Sequence, residues 1–231
     1  MIIKGFLKTS LIDYPNKIAT TIFVGGCNFK CPFCHNGDLV LSSNKLKTYT
    51  EDEIFEHIKK RKNILEGICI TGGEPTMYDD LPAFIEKIKK YGLQVKLDTN
   101  GTNPDMIKEL LDKSYLDYIA MDIKNSKNKY SLSTGVKMND ITNIDTSIKL
   151  LINSGIDYEF RTTVVRELHD EDDFHKMGEW ITGAKRYYLQ QYVESDKQIK
   201  YGFSAYTKEK LFEFKDILEE YVKEVNIRGI V

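Results

Sequence analysis

The sequence predicts an α/β protein built on a mostly parallel sheet, and three observations lead there. Strand-like apolar runs alternate with amphipathic helical runs, the arrangement that parallel strands joined by helical crossovers require. No low-complexity stretch or Pro/Gly/Ser-rich linker interrupts them, so residues 1–231 read as one domain. Its expected parts are a lead-in over 1–17, a core over 18–193 and a C-terminal helix and strand over 194–231. The polar residues of the strand runs gather near their C-terminal ends, where parallel-sheet proteins bind ligands. Six or seven units are too few for a closed eight-fold barrel, which leaves an open or partial barrel, with a doubly wound sheet as the rival.

The first strand run, IATTIFVGG at 18–26, leads into a cysteine cluster. A helix follows over TEDEIFEHIKKRK at 50–62, opened by a capping box of Thr50 and Glu53, with Ile54, Phe55 and Ile58 on one face. GICITGG at 67–73 is the next strand, followed by a helix around Phe84, Ile85 and Ile88. GLQVKLDTN at 92–100 precedes a helix with Asn103 as N-cap and Pro104 at its first position. YLDYIAMDIK at 115–124 precedes a helix carrying Ile144, Ile148 and Leu151 and stopped at Gly155. DYEFRTTVV at 157–165 is followed by DEDDFHKMGEWI at 170–181, and KRYYLQQYV at 185–193 by TKEKLFEFKDILEEYV at 207–222. VNIRGIV at 225–231 is the last strand.

Composition narrows the function. With 33 basic against 35 acidic residues the net charge is −2, which offers no electrostatic footprint for nucleic acid or a membrane surface. The apolar start lacks the length and cleavage site of a signal peptide, and no run approaches the ~20 apolar residues of a membrane span. A cytoplasmic enzyme is the expectation, and in that reducing setting clustered cysteines bind metal or do redox chemistry more often than they form disulfides.

Alternation sorts the strand residues into two faces. Ile119, Met121 and Ile123 oppose Ala120, Asp122 and Lys124; Val95, Leu97 and Thr99 oppose Lys96, Asp98 and Asn100; Tyr158, Phe160, Thr162 and Val164 oppose Glu159, Arg161 and Thr163. Buried charges must be paired or meet a ligand. Asp98, Asp122, Lys124 and Arg161 are therefore either a structural ion network or a pocket for a zwitterion such as an α-amino acid. TGGEP at 71–75 ends a strand, with a Gly pair that permits close backbone approach and a carboxylate at Glu74; alone it reads as a turn.

Three of the four cysteines, Cys27, Cys31 and Cys34, fall within eight residues. Three thiolates suit a 4Fe–4S cluster bound at three corners, with one iron left open. Zinc with His35 as fourth ligand is the second reading, although adjacent Cys34 and His35 make poor ligands for one tetrahedral ion. CPFCH also matches an attached c-type haem, which would leave Cys27 idle. Incidental cysteines complete the set. Only the open cluster explains three ligands rather than four.

Together these pieces resemble the radical S-adenosylmethionine superfamily: its C-x₃-C-x₂-C signature stands as CNFKCPFC, and GGEP resembles its methionine-binding turn. Narrower similarity, from about 6 to 193, runs through LDTNG, MDIK, the TGV at Thr134 to Val136, and FRTTVV. It resembles the glycyl-radical-enzyme activating enzymes, including the pyruvate formate-lyase type. KTSLIDYPNKIATTIFVGGCNFKCPFCHN looks closer still to the long-form anaerobic ribonucleoside-triphosphate reductase activating proteins.

The resemblance implies a partial (β/α)₆ barrel, a 4Fe–4S cluster on Cys27, Cys31 and Cys34, and S-adenosylmethionine chelating the open iron. It implies that Phe33 and His35 flank the adenosyl group. Gly72, Gly73, Glu74 and Asp98 would surround the ammonium, with Lys124 on the carboxylate and Asp122 and Arg161 facing inward. Asp98, Thr99 and Asp122 resemble a monovalent-cation site. A flavodoxin or ferredoxin would supply one electron, and the resulting 5′-deoxyadenosyl radical would take a Cα hydrogen from a glycine of a partner, the anaerobic ribonucleotide reductase. LQQYVES lacks the histidine that the pyruvate formate-lyase type places on its ribose, leaving Gln190 or Tyr192 as substitutes. The alternatives are a radical enzyme acting on a small molecule, as in the 7-carboxy-7-deazaguanine synthases, and a non-catalytic metal or electron-transfer module. No cysteines remain for a second cluster.

The remaining residues take bland readings. Cys69 is a buried small hydrophobe, His57, His169 and His175 are surface residues, and Trp180 and the 212–214 region cover the barrel. TSLIDYP at 9–15 lines the edge of the site or meets the partner.

Overall fold

The structure is a computed structural model and describes residues 1–138 and 140–230. Eight strands form one sheet in sequential order: β1 (Ile3–Ser10), β2 (Ala19–Val24), β3 (Gly67–Gly72), β4 (Gln94–Thr99), β5 (Tyr118–Asp122), β6 (Asp157–Val164), β7 (Arg186–Gln191) and β8 (Glu224–Arg228). Every pair from β2 to β8 is parallel, and only β1 runs antiparallel, against β2. A doubly wound sheet reverses its strand order at a switch point. This sheet never does, so the rival architecture falls away and an open, partial barrel remains.

The helices follow the predicted pattern within about three residues. They are α1 (Gly37–Leu41), α2 (Glu51–Arg61), α3 (Leu81–Lys89), α4 (Pro104–Asp112), α5 (Tyr130–Thr134), α6 (Thr142–Asn153), α7 (Glu171–Trp180) and α8 (Lys208–Glu219). Thr50 and Glu53 close the capping box of α2, and Asn103 caps α4 by accepting from Met106 N. The short α1 and α5 were not legible in the apolar periodicity. The last strand ends at Arg228 rather than running on, and Val231 lies outside the described residues. No helix is long and apolar enough to cross a membrane among the described residues.

The apolar strand faces pack under the helices. Ile22, Ile70, Leu97, Ile119, Met121, Phe160 and Leu189 are fully buried in the main core. Of the 212–214 region, Phe214 stacks on Phe174 at 4.1 Å while Phe212 is 43% exposed, so only one of the pair covers the core. Trp180 is half-buried and donates from Nε1 to Asp145 at 2.9 Å.

Two expectations need correction. The lead-in contains β1, whose broken alternation around Gly5 hid it. TSLIDYP is not at the edge of the site. Because β1 is antiparallel to β2, the connection between them sits at the N-terminal ends of the parallel strands, opposite the site. There Tyr14 is 3% exposed, lies 6.1 Å from the Tyr118 ring, and would collide with a Cβ on Gly67 at 2.9 Å. Asp13 accepts from Thr21 Oγ1 at 2.5 Å. This connection closes the barrel floor.

Candidate functional site

The inward strand residues stack in register. Thr21, Cys69 and Lys96 form one layer; Asp98 lies level with Ala120, and Asp122 with Arg161. The charges join into a ladder. Lys96 pairs with Asp98, Arg161 Nη1 reaches Asp98 at 3.1 Å, Arg161 Nε reaches Asp122 at 2.9 Å, and Lys124 Nζ reaches Asp122 at 2.9 Å. Three cations thus face two carboxylates in the ladder, which has a lysine at each end. Burial would raise Asp98 and Asp122, but Arg161 and the lysines outweigh it; Asp98 titrates below the usual carboxylate range and Asp122 at about 2. Burial alone would lower Lys124, yet Asp122 holds it above the ordinary lysine value. Cys69 is buried as expected, but against this ladder rather than among apolar groups, with Lys96 Nζ 3.7 Å from its sulfur.

Above the ladder opens a cavity of about 270 Å³. Its walls include all three clustered cysteines with Phe33 and His35, the Gly72–Gly73–Glu74 turn, and Asp98, Thr99, Asp122, Lys124 and Arg161. Every expected site residue therefore meets in one place. Gln190 lines the same cavity, whereas Tyr192 is buried behind it, giving its hydroxyl to Gln198 Oε1 at 2.6 Å and lying 6.1 Å from the His35 ring. Gln190 is the better placed substitute for the absent histidine.

The cysteine loop is braced from several sides. Lys30 N donates to Thr134 O at 2.8 Å, and a Cβ on Gly135 would fall 2.1 Å from Lys30 O, so the TGV segment packs directly beneath the loop. Lys200 N donates to Pro32 O at 2.8 Å, bringing the segment after β7 across it. A Cβ on Gly73 would lie 1.7 Å from Gly26 O, and one on Gly72, at φ +112°, 2.5 Å from Val24 N. The Gly pair is thus required by the close crossing of two backbones.

Some residues take different parts from those expected. Glu74 is 1% exposed and accepts from Thr76 N, Thr76 Oγ1, Thr99 Oγ1 and Asn100 N at 2.6–3.1 Å. Burial pushes its carboxyl up despite these donors. It ties the turn after β3 to the end of β4 and reaches the cavity with its oxygens already engaged. Asp98 likewise arrives paired, with Lys96, Arg161 and, at 3.3 Å, Thr71 Oγ1. Of Asp98, Thr99 and Asp122, Thr99 gives its hydroxyl to Glu74, and Arg161 lies between the two aspartates.

His169 is 2% exposed rather than on the surface. Its Nδ1 lies 3.1 Å from both Val165 N and Val165 O, and its Nε2 lies 3.0 Å from Lys124 O, which holds the ring behind Lys124. Burial lowers its pKa and so favours the neutral ring. Sequence reasoning also missed Asn28, Asn36, Asn100 and Thr163, short polar residues that resemble ordinary loop and strand-end residues.

The thiols fit a multi-iron group. All three are unpaired. Burial pushes Cys27 up to about 12 and Cys31 to about 11, and raises Cys34; Lys124 pulls each the other way. Buried thiols stay protonated until a metal supplies the charge that deprotonates them.

Comparison with known proteins agrees. The radical SAM superfamily model matches residues 21–181. A Methanocaldococcus jannaschii protein assigned as a glycyl-radical enzyme activating enzyme is 34% identical over 99% of this chain and 96% of its own length. The pyruvate formate-lyase-activating enzyme of Clostridium pasteurianum is 26% identical over 93% of this chain and 94% of its own. Among solved structures, Streptococcus suis SuiB superposes with a TM-score of 0.70 at 15% identity, covering 91% of this chain, which spans 49% of SuiB and shares its fold. The chain belongs to the radical S-adenosylmethionine superfamily, among the relatives of the glycyl-radical enzyme activating enzymes.

Proposed function

We propose that this protein activates a glycyl radical enzyme, with an anaerobic ribonucleoside-triphosphate reductase as the partner and a flavodoxin or ferredoxin as electron donor. The observation that carries the reading is the cavity in which three unpaired thiols face a Gly–Gly turn and a charge ladder with a surplus cation. The full-length similarity to an activating enzyme supports it.

In this reading Cys27, Cys31 and Cys34 hold a 4Fe–4S cluster. When bound, the cluster and S-adenosylmethionine supply one-electron cleavage of a carbon–sulfur bond and hence hydrogen-atom abstraction from a glycine Cα. The chain supplies position. Lys124, held in place by Asp122 and by His169 behind its carbonyl, offers its positive charge to the ligand's carboxylate. Gly72 and Gly73 let the ligand approach backbone, which leaves carbonyl oxygens rather than the engaged Glu74 and Asp98 for its ammonium. Phe33 and His35 flank the adenosyl group, with Gln190 facing the ribose.

The test is electron paramagnetic resonance of an anaerobic mixture with the candidate reductase, reductant and S-adenosylmethionine. A glycyl signal on the partner, absent with the Cys31→Ala variant, is expected. No signal on any glycyl radical protein, with turnover of a small molecule instead, would replace this reading with the small-molecule one.

A further inference from the structure

Asn100 follows β4, lines the cavity and is 5% exposed. Its side chain can point only one way. Oδ1 accepts from Thr102 N at 3.0 Å and from Thr102 Oγ1 at 2.7 Å. A backbone N–H cannot act as acceptor, so the NH₂ end must face the opposite side. There one hydrogen goes to Asn28 Oδ1 at 2.7 Å, and Cys27 Sγ lies 3.9 Å away for the second. Asn28 is itself fixed, because its Nδ2 donates to Thr102 Oγ1 at 2.8 Å. The Phe29 N–H reaches the same sulfur at 3.4 Å. Cys27 thus has two N–H groups aimed at it, one from a side chain that mutation can remove.

Hydrogen bonds to the sulfurs of an iron–sulfur cluster favour the more negative, reduced state and so raise its reduction potential. We infer that the Asn100 amide, oriented by Thr102 and Asn28, raises the reduction potential of the cluster at its Cys27 corner. This rests on the cluster reading above and gives Asn100 a role distinct from any contact with S-adenosylmethionine.

The experiment is a redox titration of the cluster-loaded full-length protein without S-adenosylmethionine. Dithionite serves as the one-electron source and the reduced cluster is read by electron paramagnetic resonance. Asn100→Leu keeps the side-chain shape with no charge and no donor; Asn100→Ala removes the side chain beyond Cβ. Each should lower the ratio of reduced to oxidised cluster at fixed potential about three- to tenfold, roughly 30–60 mV at ~59 mV per decade. Thr102→Ser keeps both the hydroxyl and the backbone N–H that orient the amide and should keep the wild-type potential. Should Asn100→Ala destabilise the loop, Asn100→Leu alone carries the comparison. Wild-type potential in the Asn100 variants overturns the inference. So does an equal shift in Thr102→Ser, which would assign the effect to loop order. If Cys27→Ala leaves iron and sulfide content unchanged, the cluster reading fails as well, an outcome separable from the other two.

Discussion

Arg161 is the middle rung of the buried ladder, and replacing it with methionine separates its structural part from its part in binding. The guanidinium is shared by Asp98 and Asp122, and the side chain is 13% exposed. Its loss leaves each carboxylate with one lysine. Asp122 titrates at about 2 instead of 3.8, which corresponds to about 2 kcal/mol of stability at neutral pH, with Lys124 retaining a share after the substitution. Asp98 adds a further increment in the same direction. Removing one partner from a buried ion pair generally costs about 3–5 kcal/mol. Because both aspartates keep a cation, we expect the low end, about 3 kcal/mol, or ~6–12 °C in melting temperature for a chain of this size. The assay is thermal unfolding of metal-free protein, followed by circular dichroism at pH 7. The sign with pH follows from the lowered carboxyls. Their contribution is complete above about 3.8 and disappears as pH falls through about 2, so the gap between the proteins should narrow over that window. A variant as stable as wild type at pH 7 would refute a structural ladder and leave Arg161 purely a ligand-facing residue.

Further outcomes follow from the same geometry. Gly73→Ala places a Cβ against Gly26 O and should abolish cluster incorporation, measured as iron per chain, because two backbones must separate. His169→Gln should flatten the pH dependence of stability below about 6.5. The wild-type ring has a lowered pKa, so the wild type loses stability as pH falls from its unfolded value toward the folded one; urea titrations at pH 7 and pH 5 give the comparison. Thr50→Ala removes the side-chain half of the α2 capping box, leaving the backbone N–H at position 50 on Glu53, and should cost about 1 kcal/mol in the same titration without affecting iron content.

The site was legible in the sequence where chemistry leaves a short-range mark. The cysteine spacing, the Gly pair and the charged strand ends are each marked by neighbouring residues, and the fold brings them into one cavity. What was hidden depended on contacts between distant residues. That Glu74 also ties two strands together shows only when Thr99 and Asn100, at the end of the next strand, are seen to engage it. His169 has charged neighbours in sequence, and only the fold carries it under Lys124. Tyr14 looks like part of a loop because its packing partner, Tyr118, lies on β5. Arg228 on β8, bidentate to the buried Glu159 at 2.6 and 2.8 Å, joins residues far apart in the chain, and no periodicity marks it. Strand order settled barrel against doubly wound sheet, a choice local patterns do not encode.

The most direct measurement is product analysis of anaerobically reconstituted protein incubated with dithionite and S-adenosylmethionine. We expect 5′-deoxyadenosine and methionine in equal amounts, with none above background when Cys31 is replaced by alanine. Intact S-adenosylmethionine after prolonged incubation of iron- and sulfide-replete protein, or cleavage undiminished in the Cys31→Ala variant, would contradict the assignment of the three thiols.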